Sequence, residues 1–250
     1  MSFIKRLIPN NIKQEGKYFL YDILKISYSR SQVPLEILKW LPKTNPINFI
    51  DIGCNAGDFT KSVCGEYKIE KAILIEPIPK LIPVLEANFP DRNVFKIINA
   101  AVSDSNSKTE FFINEEFDFI SSLLKIHNKK DELKRLNIKE PTTIKVKTFT
   151  LDHICEEQQL QGIDLLKIDV QGAEHLVLRG GIEALKKTKL VYTEFSFKPL
   201  YDQSSVFFDL YKIFYDHGFI LASINSGFSS AEGELLQGDA LFVNKNLLID

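Results

Sequence analysis

Cysteine is scarce in this 250-residue chain. There are three, Cys54, Cys64 and Cys155, an odd number at no metal-ligand spacing. That excludes a disulfide framework and a zinc site, and it fits a reducing cytoplasm. Excess positive charge is also missing. Lys and Arg number 31 against 33 Asp and Glu, for a net charge of -2 and a pI near 6.1. A protein that grips a nucleic-acid backbone needs a basic surface, so no nucleic-acid partner is expected. No apolar run reaches the roughly 18 residues that span a bilayer, so no integral membrane segment is expected. The opening "MSFIKRLIPNNIKQ" is basic but lacks an uninterrupted apolar core and a small-residue cleavage site. It reads as a terminal arm rather than a signal peptide; contact with an anionic membrane surface is the alternative. Internal repeats and low-complexity tracts are absent too.

What is present is 44% hydrophobic residues, enough for one large domain with small additions. Residues 1–46 read as a helical lead-in. Within it "VPLEILKWL" places Leu35, Leu38 and Leu41 on one side of a helix, before Pro42 and Pro46. From residue 47 short apolar runs alternate with helical patterns. The runs are "INFIDIG", "KAILIEP", "NVFKIINAAVS", "DLLKIDVQG", "KLVYTEFSF", "FILASIN" and "DALFVNKN". Helices are predicted at "PKLIPVLEANF", with Pro83 in its first turn, at "AEHLVLRGGIEALKKT", and at "SVFFDLYKIFYDHG", ended by Gly218. Strand and helix in alternation predict a mostly parallel sheet covered on both faces, an α/β fold. Residues 104–163 interrupt the rhythm and read as an inserted hairpin with a loop or short helix, the kind of insertion that shapes a substrate pocket.

The stretch "NFIDIGCNAGDFTKSV" (48–63) joins a strand to a helix through a glycine turn. Gly53 allows the tight turn, and Gly57 allows close approach at the helix start. Glu76 closes the next strand, 19 residues beyond Gly57, the spacing at which an acid accepts hydrogen bonds from two ribose hydroxyls. Together they predict an adenosine cofactor. Asn55 stands where a dinucleotide turn wants glycine, and its side chain crowds a pyrophosphate. S-adenosyl-L-methionine carries no phosphate, so the turn suits its methionyl part, with Asp51 facing the cationic end or ordering the loop.

The segments "FIDIGCNAGDFT", "LIEPIPKLIPVLEANF", "NAAVSD", "TLDHI", "LLKIDVQGAEHLVLRGG", "YTEFSF" and "GDALFVN" resemble, in order and spacing, the FkbM-type S-adenosylmethionine-dependent methyltransferases over about residues 47–244. "KIDVQGAE" followed by paired glycines is the distinctive part. The resemblance implies a class I Rossmann-like methyltransferase fold over 47–250, with a seven-stranded sheet whose last strand is antiparallel. It also implies O-methylation of hydroxyls on sugars, glycans or secondary metabolites, and hence a small-molecule or saccharide acceptor. Carried over, Asp51, Gly53, Asn55 and Gly57 would bind the methionyl part, Glu76 the ribose, and Ala101 and Asp104 would lie near the adenine. Lys167, Asp169, Gln171 and Glu174 match the fourth-strand motif, where many members have Glu in place of Gln171.

An alcohol is a weak nucleophile, so a base in hydrogen-bond reach of it assists methyl transfer. Asp169 is the first choice for that base and Glu194 the second. Glu174 either joins them or stabilises the helix that it opens. Asp169 could instead only position the cofactor. The three carboxylates could ligate magnesium or order the pocket through hydrogen bonds, and no metal ligand is assigned. His175 reads as a helix-surface residue, His127 as an exposed loop residue, His217 as a helix C-terminal residue, Tyr201 as one wall of an acceptor site, and Phe195 and Phe197 as core. Two competing readings are a silent cofactor-binding module and an NAD-dependent oxidoreductase.

Overall fold

The computed structural model describes residues 33–115, 118–126, 140–227, 229–230 and 232–248. His127 and the first 32 residues of the lead-in lie outside them. The strands in chain order are β1 (Ile47–Ile52), β2 (Ile69–Ile75), β3 (Phe95–Ile98), β4 (Ala101–Val102), β5 (Ser107–Ile113), β6 (Thr142–Phe149), β7 (Ile163–Ile168), β8 (Thr188–Ser196), β9 (Phe219–Ser226) and β10 (Gln237–Asn244). Seven form one sheet in the order β3-β2-β1-β7-β8-β10-β9. It is parallel except for β10, which runs antiparallel to both β8 and β9. This is the expected sheet, including its antiparallel last strand.

Seven helices cover it among the described residues: α1 (Leu35–Trp40), α2 (Asp58–Glu66), α3 (Ile82–Asn88), α4 (Leu151–Glu157), α5 (Glu174–Arg179), α6 (Ile182–Lys186) and α7 (Phe207–Asp216). Successive strand residues serve opposite faces. Phe49, Leu74, Leu165 and Leu241 pack with Ile37 of α1, Val63 of α2 and Leu85 of α3. Ile50, Ile73, Leu166 and Phe242 pack with residues of α4, α5, α6 and α7, and Phe214 stacks on Phe242 at 4.0 Å between ring centroids. Both faces are dry, which is why the strands read as continuous apolar runs.

The lead-in helix exists, but its buried stripe differs from the expected one. Val33, Ile37 and Leu41 are buried, whereas Leu35 is 66% exposed. Leu35, Leu38 and Leu41 recur every three residues, which drifts around a helix of 3.6 residues per turn. Position 37 lies one turn from both 33 and 41, so that set meets the sheet.

The expected third strand divides. β3 ends at Ile98, and the Asn99 side-chain amide donates to the Glu76 carbonyl at 2.9 Å and the Pro77 carbonyl at 3.1 Å. The chain then leaves the large sheet, and Ala101–Val102 joins β5 and β6 in a three-stranded sheet of order β4-β6-β5. β5 and β6 are the antiparallel arms expected of the insertion. The helix expected after the fourth strand divides as well, at Gly180 and Gly181. A Cβ on Gly180 would lie 2.2 Å from the Ser103 carbonyl oxygen, and one on Gly181 would lie 2.9 Å from Leu151. The Asp152 carboxylate then caps the second piece, accepting from Glu183 N–H at 3.1 Å and Ala184 N–H at 2.7 Å.

Strand order reverses between β1 and β7, since β2 continues one way and β8 the other. In open parallel sheets the crevice beyond that point is where ligands bind. The glycine turn, Glu76 and Asp169 all follow strands that end there.

Candidate functional site

The turn after β1 keeps three residues at positive φ: Gly53 at 74°, Asn55 at 49° and Gly57 at 83°. Asn55 therefore adopts the left-handed backbone that a glycine would, a conformation asparagine tolerates. Its side-chain Oδ1 accepts from Ala56 N–H at 2.8 Å, and its own N–H donates to Glu76 Oε2 at 2.9 Å. Gly53 is set by contact: a Cβ there would meet the Asp169 carbonyl oxygen at 1.9 Å. The turn and the end of β7 thus touch backbone to backbone.

Glu76 is buried. Oε1 accepts from Ile78 N–H at 2.9 Å and Oε2 from Asn55 N–H at 2.9 Å. Burial outweighs these two bonds and pushes its pKa up to about 7. Each carboxylate oxygen can accept more than one hydrogen bond, so both retain capacity for further donors. Vicinal hydroxyls would supply such donors, and in that respect the residue fits a ribose.

A cleft runs from this turn to the end of β7. Its lining includes Gly53, Asn55, Glu76, Ala101, Asp169 and Gln171. Ile78, Phe111 and Leu123 add an apolar section. Asp51 and Gly57 do not line it. Asp51 is fully buried behind the turn, where its Oδ2 accepts from Thr60 Oγ1 at 2.6 Å and its Oδ1 faces Lys167 Nζ at 3.6 Å. It orders the turn, the second of the two roles expected for it. Burial raises its pKa, opposed chiefly by Lys167. Thr60→Val removes a donor to this buried acid and is expected to cost about 1–3 kcal/mol, read as a lower urea midpoint at unchanged m. Asp104 departs further from expectation. The split of the third strand carries it out of the cleft to an exposed turn, where its backbone sits against Gly180.

At the carboxyl end of β7, Lys167 pairs in register with Asp51 across β1 and reaches Asp169 Oδ2 at 3.1 Å. Its ammonium also lies 5.5 Å over the Phe59 ring. Gln171, at φ 56°, donates through Nε2 to Asp169 Oδ1 at 2.7 Å and Glu194 Oε2 at 3.0 Å. The Tyr201 hydroxyl stands 3.1 Å from Gln171 Oε1 and 3.2 Å from the Ile120 carbonyl. Asp169 and Gln171 face the cleft, while Glu194 is held at one remove through Gln171. Burial raises the Glu194 pKa, reinforced by Asp169 and Glu174. Glu174 Oε1 accepts from Val170 N–H at 3.2 Å and Gly172 N–H at 3.1 Å, so it secures the loop after β7. Burial pushes its pKa up to about 7.

Among the described residues no group of three His, Cys, Asp or Glu side chains is arranged to hold a metal ion. Two side chains, His175 and Phe197, differ from their sequence reading, and Tyr201 turns inward. His175 is buried, where α5 packs against β8, α6 and α7. Tyr201 is buried, with its hydroxyl turned to Gln171. Phe197 is 42% exposed, because it lies just beyond the end of β8. Thr60, Ile78 and Ser122 were not singled out from sequence. Ser122 Oγ lies 2.8 Å from the Gln171 carbonyl and anchors the insertion to the β7 loop.

Residues 51–221 match the methyltransferase FkbM domain family. The chain belongs to that family. The 2-O-methyltransferase NoeI of Sinorhizobium fredii is 30% identical over 206 residues, covering 80% of this chain and 83% of that one. The crystal structure of methyltransferase FkbM from Methylobacillus flagellatus KT aligns with a TM-score of 0.51 at 13% identity, over 84% of this chain. This chain spans about half of that protein, 48% of its length, and the likeness shows the shared fold. In this FkbM-type methyltransferase the matched span begins at Asp51 and includes both the turn and the β7 motif.

Proposed function

We propose that this FkbM-type methyltransferase binds S-adenosyl-L-methionine in the cleft between the glycine turn and Asp169, and methylates a hydroxyl of a saccharide or related small molecule. The observation that carries the reading is the backbone contact of Gly53 with Asp169, which puts the cofactor turn against the cleft-facing carboxylate at the end of β7. NoeI, a 2-O-methyltransferase by name, supports an oxygen acceptor.

When bound, the cofactor supplies an electrophilic methyl group on a sulfonium sulfur. The chain's own residues do the rest. Glu76 receives the ribose hydroxyls. Asp169 would accept the proton of the acceptor hydroxyl as that oxygen takes the methyl group. Lys167 and Gln171 each donate to one oxygen of Asp169 and fix its aim. Glu174 and Ser122 hold the loop behind it. Positioning of this kind is the larger part of an in-line displacement.

Titration calorimetry with S-adenosylmethionine, S-adenosylhomocysteine and NAD tests the cofactor. Binding of the first two in the micromolar range, lost in Glu76→Ala, with no heat from NAD, is the expected outcome. Binding of NAD alone would refute the reading and every role given to Asp169.

A further inference from the structure

The insertion was expected to shape an acceptor site, yet its described part also walls the cleft beside the glycine turn. Asp118 opens a short 3-10 turn, Asp118–Ile120, that lines the cleft together with Ser121 and Leu123. Three contacts tie this segment to the glycine turn, to Tyr201 and to the loop after β7. Asn55 Nδ2 lies 3.5 Å from Asp118 Oδ1, the Tyr201 hydroxyl lies 3.2 Å from the Ile120 carbonyl, and Ser122 Oγ lies 2.8 Å from the Gln171 carbonyl.

Asn55 therefore stands between two carboxylates that both line the cleft. Its backbone N–H serves Glu76 and its side-chain amide faces Asp118. The Asp118 contacts are long: 3.5 Å to that amide and 3.7 Å to Lys80 Nζ. At these distances its oxygens are poorly served, and a closer donor would be better matched. Lys80 offsets the charge without supplying a short bond. A ribose presents two adjacent hydroxyl donors, and each oxygen of Glu76 already accepts one backbone N–H.

We infer that Asp118 is a second ribose-binding residue, gripping the diol opposite Glu76. This rests on the reading that the cleft holds S-adenosylmethionine. It gives the insertion a part in holding the cofactor and sets a second negative wall against any ribose bearing a phosphate. The like charge of Asp118 also contributes to the raised pKa of Glu76.

The test is calorimetry on the full chain, wild type against Asp118→Asn. The probes are S-adenosylhomocysteine, 5′-methylthioadenosine and the 2′,3′-dideoxy form of the latter. Asp118 is partly exposed, so the isosteric variant folds, and an unchanged Tm verifies this. The expected result is a loss of about tenfold for the first two probes, the size of one charge-assisted hydrogen bond, with no difference between the proteins for the dideoxy compound. Equal binding of S-adenosylhomocysteine by both proteins would overturn the inference. So would a tenfold gap that persists with the dideoxy compound, because Asp118 would then act on something other than the diol. Failure of the wild type to bind either ribose-bearing adenosine probe would overturn the cofactor reading, and this inference with it.

Discussion

Gly53→Ala is expected to weaken S-adenosylhomocysteine binding at least about a hundredfold, while Gly57→Ala loses less. The added methyl at Gly53 would lie 1.9 Å from the Asp169 carbonyl oxygen, and the backbone there has φ +74°, which alanine resists. Neither side can yield easily. Gly53 N–H is tied to the Ile75 carbonyl at 3.0 Å, and Asp169 N–H to the Ile52 carbonyl at 3.0 Å. The strain, on the order of 2–4 kcal/mol, is relieved only by parting the turn from β7. On the proposed function, that separates the cofactor from Asp169. At Gly57 the added methyl would meet the Phe89 ring at 2.4 Å and Leu85 at 3.1 Å, side chains that can shift. Calorimetry with a thermal melt on each variant decides it. A Gly53→Ala protein that binds within threefold of wild type would refute the contact as the organiser of the site.

The cofactor-free protein is expected to be more stable near pH 5 than near pH 8. Glu76 and Glu174 both have pKa values of about 7 when folded, against an ordinary 4.5. The folded chain keeps these two protons to higher pH than the unfolded chain does. Their contribution is therefore full below pH 4.5 and lost as pH rises through 7, by about 3 kcal/mol per group. Asp51 and Glu194, also raised by burial, act in the same direction. His175 opposes them, because burial and Arg179 lower its pKa and favour the neutral ring. The net result is a drop in Tm on the order of ten degrees from pH 5 to pH 8. Glu76→Gln flattens the slope, since its amide does not titrate; it keeps one of the two backbone N–H bonds and lowers Tm at every pH. Ligand acts oppositely on Glu76. On the proposed ribose role of Glu76, the hydroxyls donate to its charged form, so affinity for S-adenosylhomocysteine is expected to fall about tenfold per pH unit below 7. A Tm that rises from pH 5 to 8, or an unchanged slope in Glu76→Gln, would show that these carboxyls are not held protonated.

Much of this was legible in the sequence, and the reasons are local. The glycine turn, Glu76 and the β7 motif are short segments whose chemistry depends on neighbours in the chain. Apolar runs marked the strands because both sheet faces are dry. What was illegible depends on distant approach. Asp104 follows the third strand in sequence, but the Asn99 amide captures two carbonyls beyond β2 and sends the chain elsewhere. The paired glycines after β7 looked compatible with a continuous helix until the Ser103 backbone was seen to pass there. Asp51 read either as a cofactor ligand or as a loop-ordering group, because its partners, Thr60 and Lys167, lie on other elements. Asp118 carried no local signal, as nothing in its segment reveals that it meets Asn55 63 residues earlier.

The place of β10 bears on how the chain is made. It lies between β8 and β9, yet follows both in sequence. As the polypeptide leaves the ribosome, the outer edge of β8 stays open and β9 has no sheet partner until residues 237–244 emerge. The aromatic face built from Phe214, Phe219 and Phe242 is likewise incomplete until then. Non-local pairing of this kind is slow and leaves apolar edges exposed to other chains. Completion of the sheet is thus a late event in the life of a nascent chain, and premature termination before β10 would yield a sticky fragment rather than a smaller enzyme.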